Sequence, residues 1–253
     1  MIRIINGSCD DTNIVNRFKD NEFDLLFCSP PYNVGTNSNS FGGQKYLTIE
    51  SDFNKDYANW LINIIKLWLP KCKMIMINIQ ELSNNKIDLI KLMYELKDYY
   101  IDRFYWVKTS AIPQVVNNCM TNCIEWVLCF SQVNNGRNIK VNKDIGYLQN
   151  TFHVNQNFHN EYCNIHKALM SQPFCDRVIK TFCKENSKVI DIFGGLGTTA
   201  ISCIKNNCDC VLIEKEKKYC DVCYDRLNKF NNQLSLTYQP QEIIKEVNNY
   251  GNE

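Results

Sequence analysis

The chain has 253 residues, 45% of them hydrophobic, and a formal net charge of +1. That size suits one large domain, or one domain with an inserted module, and a charge so near zero means that any surface for a polyanion has to be local. The apolar stretch 60–69 is broken by Asn63 and Lys66 and is too short for a membrane span; the first residues lack the shape of a signal peptide; and fourteen cysteines without an export signal imply a reducing, cytoplasmic setting with thiols used as small apolar residues.

Along the chain, β-type apolar runs alternate with segments of helical period. Strands are expected at 2–5, 24–28, 74–79, 101–108, 125–131, 188–191 and 210–214, and helices at 57–69, 85–96, 172–183, 198–206 and 217–231. In the first helix, Trp60, Leu61, Ile64, Ile65 and Trp68 share one face. This alternation predicts an α/β fold with a mostly parallel sheet and helices on both faces. Residues 35–51, rich in Gly, Asn and Ser, read as a mobile binding loop. Residues 132–165 are polar and irregular, with the turn signal Asn134-Asn135-Gly136, and read as a small inserted recognition region. The expected division is 1–131 as a catalytic half, 132–165 as the insertion, 166–239 as a cofactor-binding half and 240–253 as a tail, helical or disordered.

Two loops carry the chemistry. The strand ending in Asp191 runs into Ile192-Phe193-Gly194-Gly195-Leu196-Gly197, and Thr198 opens a helix. Gly195 and Gly197 permit a tight turn and close backbone approach, and a helix N-terminus offers unpaired N–H groups to a ligand. Asp191 is a candidate acceptor for a cationic amine. Glu214 ends the next strand near the offset at which an acidic residue binds ribose hydroxyls. No Gly-Lys-Ser/Thr follows, so the turn is not a P-loop, and it also differs from the usual Gly-x-Gly-x-x-Gly.

The second loop is Cys28-Ser29-Pro30-Pro31-Tyr32-Asn33, after the apolar run Asp24 to Phe27. Consecutive prolines stiffen a strand end and cannot continue a ladder. The Ser29 hydroxyl and the Pro30 carbonyl can accept the hydrogens of an exocyclic amine, and Tyr32 offers a ring to stack on. An ordinary Pro-Pro turn is the plain alternative for this loop taken alone.

Together these segments resemble the S-adenosylmethionine-dependent DNA amino-methyltransferases, in the order of that family's β group, with the catalytic loop first, a variable region in the middle and the cofactor loop last. Residues 24–33 are similar to the catalytic segment. Asp191 to Thr199 is similar to Asp-Pro-Phe-x-Gly-x-Gly-Thr-Thr, with Ile192 in place of Pro. His166-Lys167-Ala168 with Arg177 and Ile179, residues 219–227, 104–108 and 125–131 also match. Ser8 stands where the family usually has Asp, and Ser171 where Pro is common.

The resemblance implies a Rossmann-like methyltransferase with S-adenosyl-L-methionine as cofactor, acting on double-stranded DNA with one base flipped out. Its implied catalytic residues are Ser29, Pro30, Pro31 and Tyr32. Its implied cofactor residues are Asp191, Phe193, Gly194, Gly195, Gly197, Thr198, Glu214, Ser8 and Cys28. Asn33, Lys108, Arg137 and Lys140 are the candidates for DNA contact. Ser29 leans the target toward cytosine N4 over adenine N6, and an inactive nucleic-acid-binding relative stays open as an alternative. Cytosine C5 chemistry is disfavoured because no Pro-Cys pair is present. A cognate restriction endonuclease and a second copy of the chain are the candidate protein partners, and no membrane association is expected. His153, His159, Cys163 and His166, with Cys119 and Cys123 upstream, match no familiar zinc spacing, so no metal is expected.

Overall fold

Apolar runs buried on both sides form the centre of the molecule, seen here in a computed structural model. It describes residues 1–33, 55–109, 120, 122–133, 139–142, 148–156, 161–162, 165, 169–233 and 240–247. In chain order the elements are β1 (Ile2–Asn6), α1 (Thr12–Val15), β2 (Leu25–Cys28), α2 (Tyr57–Trp68), β3 (Ile75–Ile79), α3 (Lys86–Glu95), β4 (Tyr100–Lys108) and β5 (Ile124–Phe130). They continue with β6 (Thr151–Val154), α4 (Gln172–Phe182), β7 (Lys188–Asp191), α5 (Thr198–Lys205), β8 (Asp209–Glu214), α6 (Lys217–Asn232) and β9 (Ile243–Val247).

The strands form one sheet in the order β6-β4-β5-β3-β2-β7-β8-β1-β9. β5 runs antiparallel to both its neighbours, and the remaining described pairings are parallel. Neighbouring residues point to opposite faces of a strand. Leu26, Ile190 and Ile213 accordingly join one core with Ile14 of α1, Leu61 and Trp68 of α2 and Leu92 of α3. Leu25, Val189 and Leu212 join a second core with Phe174 of α4, Ile204 of α5 and Leu227 of α6. Both sheet faces are covered, which is why the strands read as continuous apolar runs and not as alternating ones.

The chain leaves β2 through α2 on one face to reach β3, and leaves β7 through α5 on the other face to reach β8. β2 and β7 are themselves paired, with Leu26 opposite Ile190. Their carboxyl ends therefore flank the topological switch point, where open α/β sheets bind ligands.

Three elements differ from expectation. The tail forms β9, parallel to β1, and is neither helical nor disordered there. The five residues Ile243-Ile244-Lys245-Glu246-Val247 are too few to fix a period, and the open edge of β1 decides the matter, together with ion pairs from Arg3 and Arg17 to Glu246. The polar segment 132–165 contributes β6, which pairs with β4 and belongs to the main sheet. The single turn α1 is capped by Asp11, whose Oδ1 accepts the Asn13 N–H at 2.8 Å. Residues 35–51, read as a binding loop, lie outside the described residues.

Candidate active site

The loop after β2 is held by side chains, because its prolines have no N–H to give. Tyr57, at the start of α2, donates its hydroxyl to the Pro31 carbonyl at 2.6 Å. Asn85, fully buried, donates to the carbonyls of Tyr32 at 2.8 Å and Gln80 at 3.0 Å, while its own carbonyl accepts the Leu82 N–H at 2.7 Å. Asn33, buried, takes a left-handed φ of 57°. Tyr32 packs its ring against the first core. Its hydroxyl lies 3.0 Å from Ser29 Oγ and 2.8 Å from Glu125 Oε2, with Asn78 Oδ1 farther away at 3.5 Å.

Behind Glu125 stands Lys108, whose Nζ is 2.5 Å from Glu125 Oε1. The β4–β5 register sets Trp106 opposite Glu125, and the Lys108 ammonium also lies over the Trp106 ring at 5.4 Å. Both charged side chains are only 6% exposed. Lys108 thus differs from its expected role at a DNA phosphate: its charge is spent inside the protein on a buried carboxylate.

The glycine loop is tied down just as closely. Asp191 Oδ1 accepts the Phe193 N–H at 3.0 Å, and Oδ2 accepts the Thr199 hydroxyl at 2.6 Å. Asp191 is buried, and desolvation pushes its carboxyl up to about 7. Both oxygens face inward, so Asp191 shapes the loop; the expected direct contact to a cationic amine does not match this placement. Glu214, at the end of β8, accepts the N–H of Gly195 at 2.8 Å and of Glu216 at 2.8 Å, and burial raises its carboxyl as well.

Gly194 lies against β8, where a Cβ would come within 3.0 Å of Leu212 Cβ. Gly195 has a left-handed φ of 48°. Gly197 makes the expected tight turn with a left-handed φ of 79°, and its missing side chain also serves packing against helix α6. Thr198 is buried and lies 3.3 Å from Arg226 Nη1. Phe193, half-buried, meets the Trp60 ring with centroids 5.8 Å apart.

Ser8 follows β1 beside Glu214, whose carbonyl accepts the Gly7 N–H. Its hydroxyl donates to Asp10 Oδ1 at 2.5 Å, which leaves it able to accept a further bond. Cys28 departs from its cofactor role: its side chain is fully buried in the first core, and burial raises its thiol well above the ordinary range. Lys140 is exposed, near Asp24 and Lys73 at the amino end of β2 and β3, the opposite sheet edge from Ser29. It is therefore not placed to grip DNA at the catalytic loop. Arg137, Cys119, His159, Cys163 and His166 lie outside the described residues.

Several site residues were not singled out from the sequence. Glu125 read only as the end of an apolar strand, and Lys108 only as a phosphate contact, although an acid and a base at adjoining strand ends were a signal of pairing. Arg226 donates to the Leu196 carbonyl at 2.7 Å and braces the glycine loop from α6. Inside a polar helix, such an arginine carries no distinguishing mark.

A glycine loop backed by acidic strand ends, beside a proline-stiffened loop at the switch point of a doubly wound sheet, defines a Rossmann-like methyltransferase. The chain belongs to the N6/N4 DNA methylase family, whose model matches residues 23–225. The type II methyltransferase M.HinfI of Haemophilus influenzae is 23% identical over 273 aligned positions, covering 95% of this chain and 74% of its own length. Among solved structures, the cytosine-N4-specific PvuII DNA methyltransferase matches with a TM-score of 0.66 at 17% identity, over 94% of this chain and 88% of that one. The M1.HpyAVI–SAM complex matches with a TM-score of 0.62 at 19% identity, over 90% and 100% of the two chains.

Proposed function

We propose that this protein is a site-specific DNA methyltransferase that moves a methyl group from S-adenosyl-L-methionine to the exocyclic N4 of a flipped cytosine. The observation that carries this reading is the pairing of β2 with β7, which brings the Ser29–Tyr32 loop and the Asp191–Gly197 loop to one crevice. A methyl donor and a methyl acceptor have to meet in such a place.

The residues at the glycine loop fit an adenosine-bearing cofactor. The Glu214 carboxylate suits ribose hydroxyls, the Phe193–Trp60 pair offers an aromatic wall, and Ser8 beside Glu214 can accept from an amine. When bound, S-adenosylmethionine supplies a sulfonium-activated methyl group. The protein's own part is placement. Ser29 and the Pro30 carbonyl accept the two amine hydrogens and so aim the nitrogen lone pair, while Tyr32 supports the base. Pro31 is committed to Tyr57, which keeps the loop at a fixed distance from α2.

Ser29 in place of an acidic or amide residue favours cytosine N4. Adenine N6 is the alternative within the same family. Asn33, the DNA contact expected at the end of the catalytic loop, is buried, and residues 132–165 are the proposed reader of sequence. A restriction endonuclease with the same recognition site is the proposed biological companion. Incubation of genomic DNA with the protein and labelled S-adenosylmethionine, followed by nucleoside mass spectrometry and modification-aware sequencing, tests the proposal. N4-methylcytosine at one short motif supports it; N6-methyladenine replaces the target; no methylated nucleoside rejects the activity.

A further inference from the structure

The hydroxyl chain at the catalytic loop has a direction. Glu125 is held in an ion pair by Lys108, at 2.5 Å, and an ionised carboxylate can only accept hydrogen bonds. Tyr32 has one hydroxyl proton, and Glu125 Oε2 at 2.8 Å is a far better acceptor than Asn78 Oδ1 at 3.5 Å. The Tyr32 proton therefore goes to Glu125. The bond between Ser29 Oγ and Tyr32 Oη, at 3.0 Å, then has to be donated by Ser29. With its single proton committed, Ser29 has only lone pairs left.

We propose that Glu125, fixed by Lys108, is a positioning residue that makes Ser29 an obligate acceptor toward the target base, so that the site admits an exocyclic amine and turns away a ring carbonyl. A free serine hydroxyl rotates and serves either group; this one does not. Cytosine N4 and adenine N6 present N–H to it, whereas uracil O4, thymine O4 and guanine O6 would set acceptor against acceptor. An unpaired acceptor of this kind lowers affinity by roughly 10- to 100-fold. The inference rests on the DNA amino-methyltransferase reading and adds a source of discrimination between amino and oxo bases that lies one residue behind the catalytic loop.

Glu125→Gln reverses the chain. Lys108 retains the amide oxygen, the amide N–H2 donates to Tyr32, Tyr32 donates to Ser29, and Ser29 turns its proton to the base. The test uses the full chain and duplexes carrying the motif found by sequencing. Turnover, KM and calorimetric cofactor affinity are measured for wild type, Ser29→Ala, Glu125→Gln and the double variant. Binding is compared for duplexes with the target base intact and with its oxo counterpart, uracil for cytosine or hypoxanthine for adenine.

Glu125→Gln is expected to lose roughly 10- to 100-fold in turnover with cofactor affinity kept within about twofold, and to shift binding toward the oxo duplex. In the Ser29→Ala background it is expected to cost nothing more, because its effect passes through the Ser29 hydroxyl. A purely structural role would give losses that multiply and an unchanged binding ratio, and that result overturns the inference while leaving the activity standing. A wild-type chain that methylates no DNA overturns the functional reading, and this inference with it. Should Glu125→Gln fail to fold with Lys108 less well paired, Tyr32→Phe cuts the chain without touching the ion pair. It is then expected to narrow the amino/oxo preference to the part set by the Pro30 carbonyl, and an unchanged preference overturns the proposal.

Discussion

The Sγ of Cys223 on α6 stands 2.6 Å from the place a Cβ on Gly197 would occupy, and Gly197 holds φ at +79°. The glycine at the start of α5 thus lets two helices approach. Gly197→Ala is expected to destabilise the fold by about 1–3 kcal/mol through overpacking, with a further contribution from the left-handed backbone. Urea denaturation measures this. Cys223→Ala in the same chain should recover the packing part and leave the backbone part.

Arg226 reaches from α6 to the Leu196 carbonyl at 2.7 Å and approaches Thr198 Oγ1 at 3.3 Å. It is largely buried, and desolvation lowers its pKa. Removing a charged donor from a buried carbonyl costs roughly 1.5–3 kcal/mol. Arg226→Ala should lower stability by that order and weaken cofactor uptake in calorimetry. Arg226→Lys should restore only part, since one ammonium cannot reproduce a planar fork.

Burial raises the Asp191 carboxyl from 3.8 to about 7. A carboxyl raised on folding contributes stability that is fully present below pH about 4 and is lost as pH climbs through about 7. Denaturation midpoints of the wild-type chain should therefore fall across that window relative to Asp191→Asn, which carries no titrating proton. Parallel pH profiles for the two proteins would contradict the assignment of the shift to this residue.

Ser29, the proposed acceptor for the target amine, bonds Tyr32 Oη, and the described residues show no contact between it and the glycine loop. Ser29→Ala is expected to lower turnover by about 100-fold, the scale of a lost positioning contact, while cofactor affinity stays near the wild-type value. Single-turnover methylation and calorimetry separate the two effects. Equal losses in both would place Ser29 in the cofactor site instead.

Much of this was legible in the sequence because the central strands are buried on both faces. Runs such as Leu25-Leu26-Phe27 and Lys188-Val189-Ile190 have no other good home, and the loops that follow them have to fall at the sheet's ligand edge. β6 and β9 were not legible. Thr151-Phe152-His153-Val154 sits among polar residues, and Ile243 to Val247 is too short for its period to separate helix from strand. Each became a strand because β4 and β1 offered an open edge.

The sequence by itself determined the fold class, the order of the two loops and the residue types at the crevice, since these follow from local pattern and chain order. Only the tertiary structure decided what the charged and glycine residues do. Lys108 is spent on Glu125, Asp191 is turned into its own loop, and Gly197 answers to Cys223. Each of these roles is a contact between strands or helices far apart in the chain, and burial makes the nearest partner, not the residue type, set the outcome.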